Sequence, residues 1–265
     1  MTVVLTGLSR RQRQSWLGLL DVAAGFPDGW CLVGGQMVYL FCQERGFSPS
    51  RPTNDGDVVL DVRAQPNVLR DFTVALATVG FTSAGVTPEG HQHRWVRDET
   101  SIDVLVPQGL GRVANQRKGI SGGTTLSTPG GQQAINRSQL VTVQVGDRVG
   151  SIRRPSMLGA LVAKTAAFSV PDDSAKERHL TDFATLAAIA QGSDRIAEQL
   201  TTRDRHYLTA MLLALKKSRQ LWVPISGAER GILALASITT TMSHPTVIAH
   251  PLAQPISPGP PTFDF

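Results

Sequence analysis

Two aspartates at the start of an apolar segment constrain this chain more than any other feature. Asp55 and Asp57 stand two residues apart, and the apolar run Val58-Val59-Leu60 follows directly. Residues two apart in an extended segment project from the same face, so Asp55 and Asp57 would project together at the start of a strand over 57–62. Like charges at that distance repel unless a cation lies between them, and in phosphate-handling proteins that cation is commonly a divalent metal. The segment therefore predicts a strand that begins at a metal site.

An apolar segment that ends in two glycines precedes the aspartates. Trp30–Val33 predicts a short buried strand, and Gly34-Gly35 predicts the turn into a helical segment over 37–45. A glycine pair after a strand is usually only a tight turn. The functional alternative is that bare backbone amides at a helix start bind a triphosphate. The sequence leaves both interpretations open.

The composition indicates a folded, soluble chain with an excess of positive charge. Hydrophobic residues make up 41% and charged residues 18%, which excludes wholesale disorder. The net charge of +5 favours anionic partners such as nucleotides or nucleic acid, although many proteins without such partners also carry a modest positive charge. Cys31 and Cys42 are the only cysteines, and their apolar contexts predict buried free thiols.

The sequence predicts no membrane partner. Its apolar windows fall short of the roughly 18 residues that a transmembrane helix needs. The charged run over 9–13 also interrupts any signal-peptide pattern near the N-terminus. We therefore expect a cytoplasmic protein.

The first half of the chain, residues 1–154, predicts an α/β unit. Ser9-x-x-Gln12 is a capping box that starts the first helix. An irregular segment rich in Gly, Ser, Thr and Gln is expected over 109–138. The remaining expected elements are a helix over 67–79 and strands over 91–96, 101–106, 139–145 and 148–154.

The second half, residues 155–242, predicts helices. Capping residues or boxes at Ser174, Thr201 and Ser226 mark three helix starts, and a further helix is expected over 156–168. The tail over 243–265 carries six of the sixteen prolines and predicts extended or disordered chain.

A third acidic residue extends the predicted metal site. Asp103 stands alone in the apolar strand pattern of 101–106, and a buried isolated carboxylate is costly unless it is paired or liganded. Beside Asp55 and Asp57 it would complete a triad able to hold two Mg²⁺ ions, or one ion with a carboxylate as general base. The alternative is an ion pair with Arg94 or Arg97 at a sheet edge. The residues alone do not decide between the two.

Two solitary charges stand out in the helical half. Lys164 is the only charged residue between positions 155 and 171, and Asp182 is similarly isolated in the next helix. Helices joined by a short loop pack antiparallel, so the two side chains could meet. Taken alone, the two residues favour a structural ion pair or a lysine that reaches the rim.

These motifs together resemble the DNA-polymerase-β-like nucleotidyltransferase superfamily. The matching segments are Val33-Gly34-Gly35, Asp55-Gly56-Asp57 and Ile102-Asp103-Val104. Within the superfamily, Arg51-x-Thr53-x-Asp55-x-Asp57 is most similar to the abortive-infection AbiEii and mycobacterial MenT-type toxins. The resemblance covers about residues 30–190. The chain departs from it at Gln36, where those relatives carry a small or hydroxyl residue, and in a longer spacing between Gly35 and Asp55.

The resemblance implies an α+β fold with a polymerase-β-like mixed sheet, a helical second half and a transfer reaction. Mg²⁺ or Mn²⁺ would be held by Asp55, Asp57 and Asp103, and a nucleoside triphosphate such as ATP, CTP or UTP would be the substrate. The acceptor implied is a tRNA 3′ end or other RNA, and a toxin would have a cognate antitoxin as partner. The triphosphate contacts implied are Gly34, Gly35, Arg51, Thr53 and Lys164, with Asp182 orienting the triphosphate or meeting the base or acceptor.

Other functions also fit the sequence. The acceptor could be a protein side chain or a small molecule such as an aminoglycoside. A non-catalytic domain on the same fold could bind nucleotide or an antitoxin-like partner. The carboxylates could also form ordinary ion pairs.

Overall fold

The computed structural model of the protein describes residues 1–111, 116–170 and 176–240. The helix start predicted at Ser174 and the proline-rich tail lie outside these residues. The strands are β1 (Thr2–Val4), β2 (Trp30–Val33), β3 (Gly56–Leu60), β4 (Thr82–Ser83), β5 (Arg94–Arg97), β6 (Thr100–Pro107), β7 (Leu126–Thr128), β8 (Ser138–Val145) and β9 (Arg148–Pro155). The helices are α1 (Arg10–Gly25), α2 (Gly34–Glu44), α3 (Val68–Thr78), α4 (Gly131–Asn136), α5 (Met157–Phe168), α6 (Lys176–Ile189), α7 (Ile196–Gln199), α8 (Thr202–Lys217) and α9 (Ala228–Thr240).

The larger of two sheets is mixed and has six strands. Its order is β2-β3-β6-β5-β4, with β7 paired to the end of β6. The β3–β6 and β6–β7 pairs are parallel, whereas β2–β3, β5–β6 and β4–β5 are antiparallel. The parallel pair joins the two predicted acidic strands directly and aligns Asp57 with Asp103.

The two faces of this sheet bury different surfaces because side chains alternate along each strand. Leu32, Val58 and Ile102 belong to the main hydrophobic core. On the opposite face, Cys31 and Val59 form a smaller cluster with Ala134 of α4. Asp57 and Asp103 alternate with the main-core residues and so lie on this second face, toward α4 and α5.

The smaller sheet has the order β1-β8-β9. The strands expected over 139–145 and 148–154 are confirmed and form a hairpin, whose turn contains Gly146 at φ +59°, a conformation that favours glycine. Helix α1 contacts both β6 of the larger sheet and β9 of the smaller one. The sequence did not predict β1, which at three residues is too short for an alternating pattern.

Local capping signals explain three of the helix starts. The capping boxes at Ser9 and Thr201 are confirmed, since each side chain accepts a hydrogen bond from the residue three positions later and the reciprocal bond also forms. Ser156 accepts from the Gly159 amide at the start of α5. Helix α5 is buried along most of its length and packs against α4, α6 and α8. This explains why its sequence is almost wholly apolar.

The expectation of an irregular segment over 109–138 was partly wrong. It contains β7 and α4, of three and six residues. Elements this short carry too few residues to show a periodic pattern, and β7 forms because β6 offers it a parallel edge. The strand expected over 91–96 begins only at Arg94.

Helices long and apolar enough to cross a membrane are absent from the described part of the chain.

Candidate functional site

One row of residues crosses four strands of the larger sheet and contains two of the predicted carboxylates. Val33 pairs with Asp57, Asp57 with Asp103, and Asp103 with Arg94. Residues in register on neighbouring strands project from the same face. The fold therefore places the two carboxylates side by side, with a guanidinium next to them.

Asp57 lies against the start of α2, where the glycine pair makes room for it. Gly34 has φ +66°, and a Cβ there would lie 1.7 Å from Asp57 Oδ2. The backbone N–H of Gly35 donates a hydrogen bond to the same carboxylate. The first glycine is thus required both by its backbone conformation and by the close approach of Asp57. One of the amides expected to meet phosphate instead meets this aspartate.

Burial and like charges raise the pKa of Asp57 to about 6. Burial is the largest cause, and the negative charge of Asp103 and then that of Asp55 act in the same direction. The positive charge of Lys164 and the Gly35 hydrogen bond lower the pKa. No ion pair of Asp57 lies within the described residues. This carboxylate is therefore an incompletely compensated anion.

Asp55 lies at the solvent rim of the same site. It is exposed, and its Oδ1 accepts a hydrogen bond of 2.9 Å from Ser101 Oγ on β6. Its charge is close enough to raise the pKa of Asp57. The predicted Asp55–Asp57 pair thus shares one electrostatic environment, with one member exposed and the other partly buried.

Asp103 is held by Arg94. Arg94 Nε and Nη2 donate to Asp103 Oδ1 and Oδ2 at 2.8 and 2.7 Å, which is the bidentate geometry of a strong charge-assisted pair. The hydrogen bonding to Asp103 is the main reason why the pKa of Arg94 is raised, and the charges of Asp55 and Asp57 add to it. Of the two arginines considered from the sequence, Arg94 is thus the partner, while Arg97 contacts Asp21 instead.

Two of the three carboxylates are suited to binding a divalent ion. In the described ranges, no group of three or more His, Cys, Asp or Glu side chains is arranged to hold a metal. Mg²⁺, however, is usually bound in phosphate sites by one or two carboxylates together with waters and substrate phosphates. Asp55 and Asp57 are free of ion pairs in the described residues and suit that role. The three-ligand set stays a prediction.

A second cluster of charges joins the two halves of the chain. Lys164 Nζ lies 2.7 Å from Asp182 Oδ2, and Arg51 donates to both oxygens of Asp182 at 2.8 and 2.7 Å. Burial alone would raise the pKa of Asp182, but the charges and hydrogen bonds of Lys164 and Arg51 outweigh it and lower the pKa. Two cations share one carboxylate, which leaves an excess positive charge here.

Arg51 and Thr53 approach the second glycine. A Cβ on Gly35 would lie 2.4 Å from Thr53 Oγ1 and 3.2 Å from Arg51 Nη2. Gln36, the residue that departs from the resembled pattern, is fully buried and donates to the Thr53 carbonyl at 3.4 Å. The start of α2 therefore gathers the residues that the resemblance assigns to phosphate contact.

A cavity of about 160 Å³ opens between the sheet face and the helices α5 and α6. Asp57, Gly34 and Lys164 line one part of it. Its other walls are largely apolar. The wall residues include Met37, Leu105, Pro129, Ala163, Ala167 and His179.

Some wall residues carried no sequence signal. The charged neighbours of His179 in the sequence indicate only a solvated helix start, yet His179 lines the cavity together with Lys164. Pro129 and Gly131 lie in the segment expected to be irregular. Only the pairing of β7 with β6 brings that segment to the site.

Comparison with known proteins bears on the fold. No protein-family model matches the sequence, and no curated protein matches it. Among solved structures, the chain is similar to the crystal structure of an antigenic nucleotidyltransferase-like protein from Paracoccidioides brasiliensis, with a TM-score of 0.50 and 14% identity. The match covers 81% of this chain and 94% of that chain. The chain therefore has a nucleotidyltransferase-like fold, and the predicted α+β class with a mixed sheet is confirmed.

Proposed function

We propose that this protein is a Mg²⁺- or Mn²⁺-dependent nucleotidyltransferase that moves a nucleoside monophosphate from a nucleoside triphosphate to an acceptor hydroxyl. The observation that carries the proposal is that Asp57 and Lys164, from opposite halves of the chain, line one cavity. Phosphoryl transfer needs both a place for a cation and a positive surface for phosphate oxygens. This cavity offers the two next to each other.

The carboxylates supply the cation site. Asp55 and Asp57 would hold the divalent ion, which when bound offsets charge on the phosphates. Asp57 is suited to this because burial and its neighbours leave its negative charge poorly compensated. Asp103, next to it in register, is proposed to help deprotonate the acceptor hydroxyl. Each of its oxygens keeps a lone pair beyond the one that Arg94 uses.

The basic cluster supplies the phosphate side. Lys164 is proposed to face the departing pyrophosphate, and Asp182 holds both Lys164 and Arg51 in fixed positions. Donors that are fixed before the reaction stabilise developing charge without reorganisation. Gly34 at the start of α2, and Thr53 beside it, would contact the triphosphate where the helix dipole favours anions. Gly35, whose N–H donates to Asp57, would lie next to this contact. The apolar walls of the cavity would take the nucleoside.

The acceptor is proposed to be RNA, with a tRNA 3′ end as the specific case that the family resemblance implies. The net charge of +5 agrees with a polyanionic acceptor. On the same grounds we propose a toxin-like enzyme of the cytoplasm that is neutralised by a cognate antitoxin.

The test is label transfer from each α-labelled nucleoside triphosphate in the presence of total RNA. We expect label in the RNA fraction with the wild-type protein and none with the Asp55→Asn/Asp57→Asn double variant. Asp71→Asn is a matched control, since Asp71 is an exposed aspartate on α3. Undiminished transfer by the double variant would remove the assignment. Label in protein or in an added aminoglycoside, with none in RNA, would identify a different acceptor.

A binding-only function is the second candidate, and the Arg94–Asp103 pair is the observation that favours it. With Asp103 paired, the three carboxylates do not form a ready metal group. A protein that only binds nucleotide would show a rise in melting temperature with Mg²⁺ and nucleotide, and no labelled product with any acceptor class.

A further inference from the structure

Arg94 reaches Asp103 from the solvent side of the site. Its side chain is 47% exposed, whereas that of Asp103 is 13% exposed. The guanidinium extends from β5 across to β6 and closes over both carboxylate oxygens. No other ion pair of Asp103 occurs in the part of the chain that the structure describes. Arg94 is thus the cation that compensates this carboxylate.

Neighbouring carboxylates in the same row have unlike partners. Asp103 has a permanent cation whose planar fork matches its two oxygens. Asp57, one strand away, has the N–H of Gly35. For a metal to bridge Asp57 and Asp103, Asp103 would first have to release its bidentate partner Arg94. The row is therefore asymmetric, with one aspartate available and one engaged.

We propose that Arg94 is an internal counter-ion that withholds Asp103 from the metal, so that the resting site binds a single divalent ion through Asp55 and Asp57. This inference rests on the proposed function of those two aspartates. It makes Arg94 a positioning residue, which fixes the orientation of Asp103 beside the ion without touching the ion itself.

Elementary electrostatics supports this arrangement. A fixed positive charge within hydrogen-bond reach of a carboxylate repels an approaching Mg²⁺, and the repulsion is strong where water is partly excluded. Mg²⁺ demands near-octahedral geometry and keeps several waters, so two carboxylates satisfy it before a substrate arrives. An arginine cannot lose its proton to make way. Asp103 therefore becomes a metal ligand only if Arg94 moves.

The test is a titration of the metal-free protein with Mn²⁺, followed by calorimetry and by the electron paramagnetic resonance signal of the free ion. The wild type should bind one ion, and Arg94→Gln should bind Mn²⁺ about tenfold more tightly because a repelling charge is gone and a ligand is released. In the Arg94→Gln background, Asp103→Asn should cancel that gain. In the wild-type background, the same Asp103→Asn change should alter the affinity by less than about threefold.

Two further variants separate the role of Arg94 from a general effect of charge. Arg97 lies on the same strand as Arg94 but contacts Asp21, so Arg97→Gln should leave the Mn²⁺ affinity unchanged. Arg94→Lys keeps the charge and loses the bidentate fork, so its affinity should stay close to that of the wild type.

Two results would overturn the inference. One is a tenfold or greater loss of Mn²⁺ affinity in Asp103→Asn alone, because that would make Asp103 a ligand in the resting protein; this variant decides the question even if Arg94→Gln does not fold. The other is an unchanged affinity in folded Arg94→Gln. Failure of the proposed function looks different, since Mn²⁺ would then bind Asp55→Asn/Asp57→Asn as well as it binds the wild type.

Discussion

The two charged clusters of this protein each contribute one residue to the same cavity, Asp57 and Lys164, and their net charges are opposite in sign. The acidic cluster sets three carboxylates, Asp55, Asp57 and Asp103, against the single guanidinium of Arg94. The basic cluster sets Lys164 and Arg51 against the one carboxylate of Asp182. An ordinary structural ion pair would balance its charges. These clusters stay unbalanced. The acidic cluster lacks positive charge, which a metal would supply, and the basic cluster lacks negative charge, which a triphosphate would supply.

Asp182 of the basic cluster and Asp57 of the acidic cluster also differ in their electrostatics. Asp182 is stabilised as an anion by two cations, and its pKa is lowered. Asp57 is destabilised as an anion by burial and like charges, and its pKa is raised. The first is thus part of a rigid frame, whereas the second is a site that costs the folded state free energy until something binds. Four predictions test this contrast.

Removal of the Asp182 carboxylate should have the largest effect on stability. Asp182→Ala leaves Lys164 and Arg51 without their shared counter-charge, and breaking a buried pair in this way costs about 3–5 kcal/mol of unfolding free energy. Urea unfolding followed by circular dichroism measures the change. Glu198→Ala is the matched control, because it breaks the exposed pair with Arg195 and should leave the unfolding free energy nearly unchanged. A loss for Asp182→Ala as small as the control would contradict the rigid-frame interpretation.

Asp57→Asn should act in the opposite direction. It removes a poorly compensated, partly buried charge, so the metal-free protein should gain about 1–3 kcal/mol of unfolding free energy at pH 7, while nucleotide transfer is lost. The same urea measurement applies. Asp55→Asn should change stability by about 0.5 kcal/mol or less because Asp55 is exposed. A clear destabilisation by Asp57→Asn would show that the charge is compensated after all.

The sequence pointed to the acidic face and to Lys164 and Asp182 of the basic cluster for a simple reason. Alternation along a strand and solitary charges in apolar helices are properties of neighbouring residues, so they can be read directly. Pairing between strands is not such a property. Arg94 and Arg97, three residues apart on β5, lie on opposite faces, and only the register with β6 decides which one meets Asp103.

Other parts of the site were hidden by similar limits. The segment β7–α4 is ordered by the edge of β6 and by packing on α5, neither of which its own Gly-rich sequence reveals. His179 lies among charged residues, and only the packing of α6 turns it toward the cavity. The cavity walls are therefore set by interactions between elements that are distant in sequence. The charged residues of the cavity, in contrast, can be recognised from their neighbours in the sequence.

The pH dependence of stability gives a finer test of Asp57. Because its folded-state pKa is raised to about 6 and the unfolded value is about 3.9, the folded state binds more protons between these values. The contribution of Asp57 to the free energy of unfolding is thus most favourable below about pH 4 and is lost as the pH rises through about 6. The melting temperature of metal-free Asp57→Asn should exceed that of the wild type at pH 7, and the gap should close below about pH 4. A gap that does not vary with pH would place its cause in packing and not in charge.

Arg51→Lys should have the smallest effect on the free energy of unfolding. It measures how much the basic cluster depends on the bidentate geometry of the Arg51–Asp182 pair. Lysine keeps the positive charge but loses one of the two parallel hydrogen bonds to Asp182, while the Lys164 contact remains. A hydrogen bond to a charged group contributes about 1.5–3 kcal/mol, and partial exposure of Arg51 places the expected loss at about 1 kcal/mol. Urea unfolding of Arg51→Lys beside Arg51→Gln separates the two contributions, since the second variant also removes the charge. If the two variants lose the same stability, charge contributes little and the bidentate geometry is what Asp182 requires; if only Arg51→Gln loses stability, the excess positive charge is the property that the cluster maintains.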